Sequence, residues 1–274
     1  MELELVALAV LGFGIGCYGT IIGLGGGFIL VPVLLVLFPE YEPEEVTSIS
    51  LAVVFATATS GSIAYGRQRR IDYLTGLIFA ASAAPGVVAG TFLVAFVPQR
   101  TFTLLFGVLL MLLAWITLRG RRPGIRRPLS GPGVLRRTIA MPEGTYRFAY
   151  RLWQGMAISL GVGLMSSMFG IGGGAIHVPA MIMMLHFPIQ FAVATSQFIL
   201  VFMSGGASAI HLANGTLEGD ALFRALAVAS GTVPGAQVGA RLAARLKGRT
   251  VLVLLGSALA ALSISLLVKG LLNV

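Results

Sequence analysis

The sequence is poor in charge and in cysteine, and each shortage excludes a class of protein. Only 11% of its 274 residues are charged, whereas 57% are hydrophobic and the mean hydropathy is +0.93. A soluble domain carries about 25% charged residues, so this chain cannot cover a globular surface with polar groups. The one cysteine, Cys17, excludes an internal disulfide and a cysteine-cluster metal site. We therefore predict an all-α integral membrane protein.

Recognisable catalytic motifs are lacking as well. The chain has no HExxH zinc motif, no GxSxG nucleophile motif and no paired carboxylates within a hydrophobic segment. An enzyme inside the membrane would be expected to place ionisable groups there, because these groups carry out the chemistry. We therefore predict no enzymatic activity, no cofactor and no metal site. A membrane-embedded enzyme and a non-transporting membrane scaffold are kept as alternatives.

Hydrophobic segments divide the chain into two halves of five segments each. A basic stretch separates the halves, so the predicted organisation is a first membrane repeat over 1–118, a basic cytoplasmic loop over 119–151 and a second membrane repeat over 152–274. The second segment of each half has only 11 to 13 residues, about half the length that a helix needs for a bilayer core of about 30 Å, and it either spans or re-enters the membrane. The segments run over 3–22, 28–38, 46–66, 73–96, 101–118, 152–169, 175–187, 192–212, 221–241 and 250–268.

The two halves also repeat each other in sequence. The motif GLGGG at 23–27 matches GIGGG at 170–174, and PGVVAG at 85–90 matches PGAQVG at 234–239. Pro32 matches Pro179, and the pair Thr47-Ser48 matches Thr195-Ser196. The matched positions all lie about 148 residues apart, which indicates an internal duplication.

Charge predicts how the halves are oriented. Nine arginines lie between positions 119 and 151. The positive-inside rule makes this stretch cytoplasmic, and we favour this interpretation over nucleic-acid binding because no aromatic residues interleave the first five arginines. The connections then alternate, with RQRRID at 67–72 inside and PEYEPEE at 39–45 outside, and Arg100 is the one exception to the pattern. An odd number of segments per half inverts the second half, so both termini are predicted to face outside the cytoplasmic membrane.

The two glycine clusters are the main candidates for a binding site. Interrupted segments at corresponding positions of inverted repeats indicate a secondary transporter with its site between the repeats. Glycines permit positive φ angles and would leave amide groups free at the start of the following helix, where the helix dipole attracts anions. We expect Pro32 and Pro179 in the first turn of that helix. The predicted anion cradle consists of Gly25, Gly26, Gly27, Gly172, Gly173 and Gly174. Close helix packing is the alternative role for such glycines, and packing or kinking is our prediction for the PGVVAG and PGAQVG motifs.

Polar side chains beside the clusters complete the predicted site. Thr47, Ser48, Thr195 and Ser196 either cap their helices or donate hydrogen bonds to an oxyanion, and Gln197 adds an amide. His177 lies just past the second cluster and could carry a proton or bias the site, although packing is the favoured role. Two further acidic residues correspond across the repeat and are expected to be solvated at loop edges: Asp72 and Glu218.

These motifs resemble a known family. The glycine clusters at 23–27 and 170–174, the Thr-Ser pairs and the two-half layout look like the TauE/SafE family of sulfite and organosulfonate exporters, and the resemblance covers nearly the whole chain. It implies transport of small anions such as sulfite, sulfoacetate, related sulfonates or other sulfur oxyanions. The expected partners are this small anionic substrate and membrane lipid, with no nucleic acid. The sequence leaves the direction of transport, the coupling ion and homo-oligomer formation open.

Overall fold

The computed structural model describes residues 2–119, 133–141, 144–246 and 248–272, and most of these residues are helical. Four arginines of the basic stretch, at positions 121, 122, 126 and 127, and the terminal Val274 lie outside the described residues. The helices are α1 (Glu2–Ile22), α2 (Gly27–Leu37), α3 (Pro43–Arg67), α4 (Tyr73–Leu93), α5 (Gln99–Arg119), α6 (Leu152–Phe169), α7 (Gly174–Met183), α8 (Ile189–Ala213), α9 (Gly219–Ala243) and α10 (Gly248–Leu272). A 3₁₀ turn, Val94–Phe96, extends α4.

Helix length and composition confirm a multi-pass membrane protein. Within the described residues, seven helices are long and apolar enough to cross a membrane: α1, α3, α4, α5, α6, α8 and α10. Helix α9 has 25 residues but is not among these seven. The short helices α2 and α7 have 11 and 10 residues, which corresponds to about 15 Å at 1.5 Å per residue, half a bilayer core. The predicted short second segment of each half is therefore confirmed as a short helix.

The two halves interlock rather than forming separate bundles. Helix α1 packs against α9, and α6, its counterpart in the second half, packs against α4, the counterpart of α9. Helices α3 and α8 pack against each other, as do α5 and α10. Every main pairing therefore joins one half to the other, and exchanging the halves reproduces the same set of pairs.

Glycines bring the crossed helix pairs into close contact. A β-carbon at Gly86 or Gly90 of α4 would stand less than 3.0 Å from a backbone carbonyl of α6. A β-carbon at Gly235 or Gly239 of α9 would meet the backbone of α1 in the same way. Small residues allow membrane helices to approach this closely. The predicted packing role of the PGVVAG and PGAQVG motifs is thus confirmed.

Contacts between helix ends and loops define two ends of the bundle. At the first end, Arg224 near the start of α9 pairs with Glu4 near the start of α1 at 3.4 Å and lies over the ring of Phe38. Lys269, near the end of α10, donates to the carbonyl of Leu35 at 2.7 Å. Leu35 lies in the last turn of α2, and Phe38 directly follows that helix. The free ends of the first and last helices therefore share one end of the bundle. We call this the termini end.

The opposite end carries a β-hairpin that the sequence analysis did not predict. Strand β1 (Val134–Met141) pairs antiparallel with β2 (Gly144–Arg151), with Arg137 opposite Phe148. The basic cytoplasmic loop predicted over 119–151 thus contains two strands, Val134–Met141 and Gly144–Arg151. The alternation of aromatic residues and arginines in YRFAYR at 146–151 has the period of two of a strand.

Candidate functional site

The backbone opens at both glycine clusters in the same way. In the first cluster, Gly23, Gly25 and Gly26 have φ angles of 81°, 70° and 91°. Helix α2 begins at the next residue, and the carbonyl of Gly26 accepts the amides of Ile29 and Leu30. Such φ values are left-handed, where residues with a β-carbon are rare. The glycines are therefore required by the backbone at this point.

The second cluster repeats this geometry. Gly170, Gly172 and Gly173 have φ angles of 69°, 74° and 95°, and α7 begins at Gly174. The carbonyl of Gly173 accepts the amides of Ile176 and His177. The sequence duplication is thus a duplication of structure. We call these two segments, 23–27 and 170–174, the glycine breaks.

The prolines lie one turn further along than expected. Pro32 and Pro179 are each the sixth residue of their helices, in the second turn rather than the first. A proline there removes an N–H that would have bonded to the carbonyl four residues earlier. Each short helix therefore has a weakened second turn in addition to the break that precedes it.

The two glycine breaks lie against each other. A β-carbon at Gly27 would stand less than 3.0 Å from the carbonyl oxygen of Gly170, and one at Gly174 would stand equally close to the carbonyl oxygen of Gly23. The first residue of each short helix thus abuts the first residue of the opposite break. The breaks meet at one place between the halves, as the sequence analysis expects of a shared site.

Apolar side chains line the space where the breaks meet. Val54 of α3 and Leu200 of α8 both approach the α-carbons of Gly25 and Gly172. With Ala58 they form a small, fully buried apolar cluster separate from the main core. The breaks are therefore enclosed by side chains from the third helix of each half.

The start of each short helix presents free amide groups. Residues 25–28 and 172–175 are all buried. Within the described part of the chain, their amides donate no well-formed hydrogen bond to a backbone or side-chain acceptor. The first amides of a helix have no partner within that helix and lie at the positive end of its dipole. Both groups of amides belong to the segments that meet between the halves.

Hydroxyl groups from one half reach the glycine break of the other. Ser196 of α8 donates to the carbonyl of Gly23 at 3.2 Å, and Ser50 of α3 donates to that of Gly170 at 2.7 Å. The α-carbon of Thr47 also lies beside Gly170. Ser50 was not among the predicted site residues, because Phe198 occupies the corresponding position in the second half and no sequence match marks it.

The other hydroxyls already have partners, and none of them caps a helix. Thr47 and Ser48 donate to the carbonyls three residues earlier, at 3.0 and 2.8 Å. Helix α3 is capped instead by Glu42, which forms a capping box with Glu45. The capping alternative is therefore wrong. Thr195 accepts the amide of Asp72 at 3.0 Å.

Gln197 is the predicted site residue with the clearest unused bonding capacity. Its side chain is fully buried, and among the described residues neither its amide nitrogen nor its carbonyl oxygen has a hydrogen-bond partner. It lies beside Gly61 and close to Thr20, whose hydroxyl is also buried and unpartnered. An unpartnered buried polar group costs about 1–3 kcal/mol, which makes this pair a candidate for binding something polar.

His177 is packed rather than exposed to a cavity. Its Nε2 lies 3.1 Å from the hydroxyl of Ser159, and its ring stacks on that of Phe79 with a centroid distance of 6.5 Å. Its Nδ1 is buried without a partner. The first turn of α7 therefore carries a histidine held by one hydrogen bond and one ring contact.

Asp72 corrects an expectation from the sequence. It is not a solvated loop residue, because its side chain is fully buried and forms a bidentate ion pair with Arg137 of the hairpin, at 2.6 and 2.9 Å. The Thr75 hydroxyl also donates to its carboxylate at 2.6 Å, and Tyr150 bonds to Thr75 at 2.6 Å. Glu218 is exposed, as expected.

Hydrogen bonding and burial shift the pKa values of two groups in this network, Arg137 and Tyr150. The hydrogen bond to Asp72 raises the pKa of the Arg137 guanidinium, and burial raises the pKa of Tyr150 to about 12. Because Thr75 has one hydroxyl hydrogen and donates it to Asp72, Tyr150 must donate its own to Thr75. Both strands of the hairpin are thus tied to the first turn of α4.

No metal site accompanies these groups in the described residues, where no three His, Cys, Asp or Glu side chains come close enough to hold an ion. The arrangement offers backbone amides, hydroxyls and one carboxamide, which are neutral hydrogen-bond donors. Such donors can bind an anion and can release it again, whereas they provide no nucleophile with an adjacent base.

Comparisons with known proteins point in the same direction. The family model described as "Sulfite exporter TauE/SafE" matches residues 8–266. The chain is 31% identical over 275 residues to "Probable membrane transporter protein YunE" of Bacillus subtilis, which covers 98% of this chain and 99% of the relative. It is 27% identical over 231 residues to "Probable membrane transporter protein YdhB" of the same organism, covering 84% and 86% of the two chains.

A more distant relative comes from an archaeon. "Probable membrane transporter protein MJ0441" of Methanocaldococcus jannaschii is 25% identical over 222 residues, which is 78% of this chain and 74% of the relative. No solved structure matches the chain.

Proposed function

Because the chain belongs to the sulfite exporter TauE/SafE family, we propose that this membrane transporter is a secondary transporter of small anions. Sulfite, organosulfonates and related sulfur oxyanions are the proposed substrates. The family is that of a sulfite exporter, and the named relatives are probable membrane transporter proteins.

The observation that carries the proposal is the meeting of two glycine breaks between the halves. Each break supplies buried amides at the positive end of a short helix. An oxyanion has several acceptor oxygens and can accept from more than one such amide, as anions at helix N-termini do. Bound there, it would be contacted by both halves of the protein. Gln197 and the hydroxyl of Thr195, which accepts the amide of Asp72 and keeps its own hydrogen, are the proposed side-chain donors.

We propose inverted repeats in the cytoplasmic membrane, with both chain termini outside. The start of α1 and the end of α10 share one end of the bundle, and the arginine-rich hairpin lies at the other. The positive-inside rule then assigns the hairpin end to the cytoplasm. Alternating access would proceed by movement of the halves around the glycine breaks.

Flux measured in proteoliposomes tests the proposal. Purified protein is reconstituted, and uptake of radiolabelled sulfite, sulfoacetate and sulfate is compared with uptake of chloride and with protein-free vesicles. We expect saturable uptake of at least one sulfur oxyanion, competed by the others and not by chloride. Absence of flux for every sulfur oxyanion would overturn the proposal and favour the scaffold alternative.

A further inference from the structure

We propose that the β-hairpin is a lid over the ends of α7 and α8, and that Asp72 is the positioning residue that joins this lid to the anion site. The lid is defined by residues 134–139 and 146–151. This inference rests on the anion transport proposed above, but it assigns a separate device with its own measurable state.

One face of the hairpin packs against the helices, and the other face is exposed. Strand residues alternate between faces, and Tyr146, Phe148 and Tyr150 of β2 lie towards the helices. Arg147 and Arg151, the residues between and after them, are exposed. The hairpin is thus an amphipathic two-stranded ribbon. It rests on the bundle by the aromatic side chains of one strand.

The aromatic rings on the packed face of the lid contact rings in the segment that links α7 to α8 and in the first turn of α8. Phe148 lies 4.4 Å from Phe187 between ring centroids, and Tyr146 lies 5.3 Å from Phe191. Tyr150 contacts Phe79 at 5.9 Å, and Phe79 stacks in turn on His177. The rings therefore run from the lid to the first turn of α7, directly after the second glycine break.

Asp72 contacts the lid and the site at the same time. Its carboxylate is bound by Arg137 of the lid, whereas its own backbone amide donates to the hydroxyl of Thr195 at 3.0 Å. Thr195 is one of the proposed anion donors. Displacing Arg137 would leave a buried carboxylate without its cation, and the α3–α4 turn that presents the amide to Thr195 would have to move. Lid position and site geometry are joined through one residue.

The contacts that hold the lid on the bundle are few enough for it to undock. A two-stranded ribbon alone is marginally stable in water, so it depends on its docking contacts for order. Those contacts are one ion pair, a short chain of hydroxyl bonds, a few rings and the partly buried Leu135 and Ile139 of β1. A transporter must open each end of its path in turn, and removal of this ribbon uncovers the hairpin end of α7 and α8. We infer that the lid undocks in each transport cycle.

A reversible cross-link tests the lid directly. In a Cys17→Ala background, which has no other cysteine, Phe148→Cys and Phe187→Cys are combined so that oxidation ties the lid to the bundle. The matched control combines Thr138→Cys and Arg147→Cys, which are direct partners across the hairpin. The control disulfide closes the hairpin on itself and leaves it free to undock.

Oxidation should reduce anion flux in the lid-to-bundle pair to the level of protein-free vesicles, and a thiol reductant should restore it. The control pair should transport equally well when oxidised and when reduced. Undiminished flux in fully cross-linked lid-to-bundle protein would overturn the proposal, because the lid would then never need to move.

A second measurement separates the lid from transport itself. Single Phe187→Cys protein, again without Cys17, is labelled with a membrane-impermeant maleimide, and the rate is compared with and without Arg137→Ala. Releasing the lid should raise the labelling rate about ten-fold, within the range of coupling between linked sites, and Arg137→Lys should restore much of the protection. Unchanged labelling would show that the hairpin does not cover this position, whether or not the protein transports any anion.

A separate substitution, Asp72→Asn, tests Asp72 as a positioning residue. Asp72→Asn should raise the KM for the anion by disturbing Thr195 while leaving the maximal rate within about three-fold, since binding energy lost equally from ground and transition states affects KM alone. A purely structural role would lower the amount of folded protein without altering the KM of the remainder. That outcome would remove Asp72 from the proposal.

Discussion

At the residue scale, the two glycine breaks show why a residue without a side chain can have a function. Gly26 and Gly173 hold φ angles of 91° and 95° directly before a short helix. A residue with a β-carbon is strained in this region, by about 1–2 kcal/mol for an ordinary side chain and more when the side chain is β-branched. The free amides exist because the chain can turn there.

Gly26→Val and Gly173→Val should each abolish anion flux per folded molecule. Either substitution strains the turn that exposes the amides, and losing one charge-assisted hydrogen bond costs about 1.5–3 kcal/mol, a ten-fold loss of affinity or more. Because the proposed site is shared, the double variant should be no worse than either single one. The measurement is uptake divided by monodisperse protein after gel filtration.

Gly86→Val is the packing control for these variants. Its β-carbon would strike the backbone of α6, so its loss of uptake should follow its loss of folded protein. Normal uptake per folded molecule in both break variants would show that the anion does not bind at the glycines.

The unpartnered side chain of Gln197 should lower the stability of the folded protein in the absence of a ligand. Gln197→Leu should raise the melting temperature in detergent, because it removes two buried atoms without partners, each costing about 1–3 kcal/mol. The same change should raise the KM for the anion, a trade of function for stability. The melting temperature and the KM for uptake are measured on the same preparation of Gln197→Leu and compared with those of the parent protein. A more stable protein with an unchanged KM would leave Gln197 outside the site.

At the scale of elements, the sequence predicted the helices well and the hairpin not at all. All ten hydrophobic segments became helices with ends within a few residues of the prediction, because long apolar runs in a membrane protein have little alternative. The ion pair of Asp72 was missed because Arg137 lies 65 residues further along the chain. Nothing local to either residue indicates the other.

The same limit applies within the site. Duplication marked Thr47, Ser48, Thr195 and Ser196, and the structure brings Thr47 and Ser196 to the opposite break. The duplication could not identify Ser50 as a site residue, because the matching position in the second half is Phe198. It also could not predict which carbonyl each hydroxyl donates to. Matching positions identify the segments of a shared site, and packing decides which side chains reach it.

Helix α9 should depend on its close contact with α1. It is not apolar enough to count among the candidate spans, and Gly16 allows the backbone of α1 to approach Thr232 of α9. Gly16→Leu should therefore lower the melting temperature in detergent by several degrees or more, because packing is what joins helices in a membrane.

Gly14, two residues away in α1, provides the matched control. A β-carbon there would have no neighbour within 4 Å, so Gly14→Leu should melt like the parent protein. Equal melting of the two variants would contradict the view that these glycines hold α1 and α9 together.

At the scale of the whole molecule, the exchange of helix pairs makes the halves mutually dependent. Each half places its first helix against the fourth helix of the other. The glycine-lined faces of α1, α4, α6 and α9 therefore pack mainly against helices of the other half. Movement of one half against the other would change the space around both glycine breaks at once, as alternating access through a shared site requires.

The two ends of the bundle should face opposite sides of the membrane. In the Cys17→Ala background, single cysteines replace Arg147 on the exposed face of the hairpin and Glu218 in the exposed loop before α9. The positive-inside rule predicts the hairpin inside. An impermeant maleimide should label Arg147→Cys only in inside-out vesicles and Glu218→Cys only in intact cells. A reporter active only in the cytoplasm, joined to Val274, should be silent.

Each outcome of this labelling has a separate meaning for the inverted repeat. Labelling of both cysteines from the same side would contradict the two-ended arrangement, because α8 has the length of a complete crossing between these positions. Labelling from opposite sides in the reverse sense would retain the repeat but place the lid outside the cell. The lid would then act on anions arriving from outside, and the cross-link that ties it to the bundle should block uptake into whole cells from the medium.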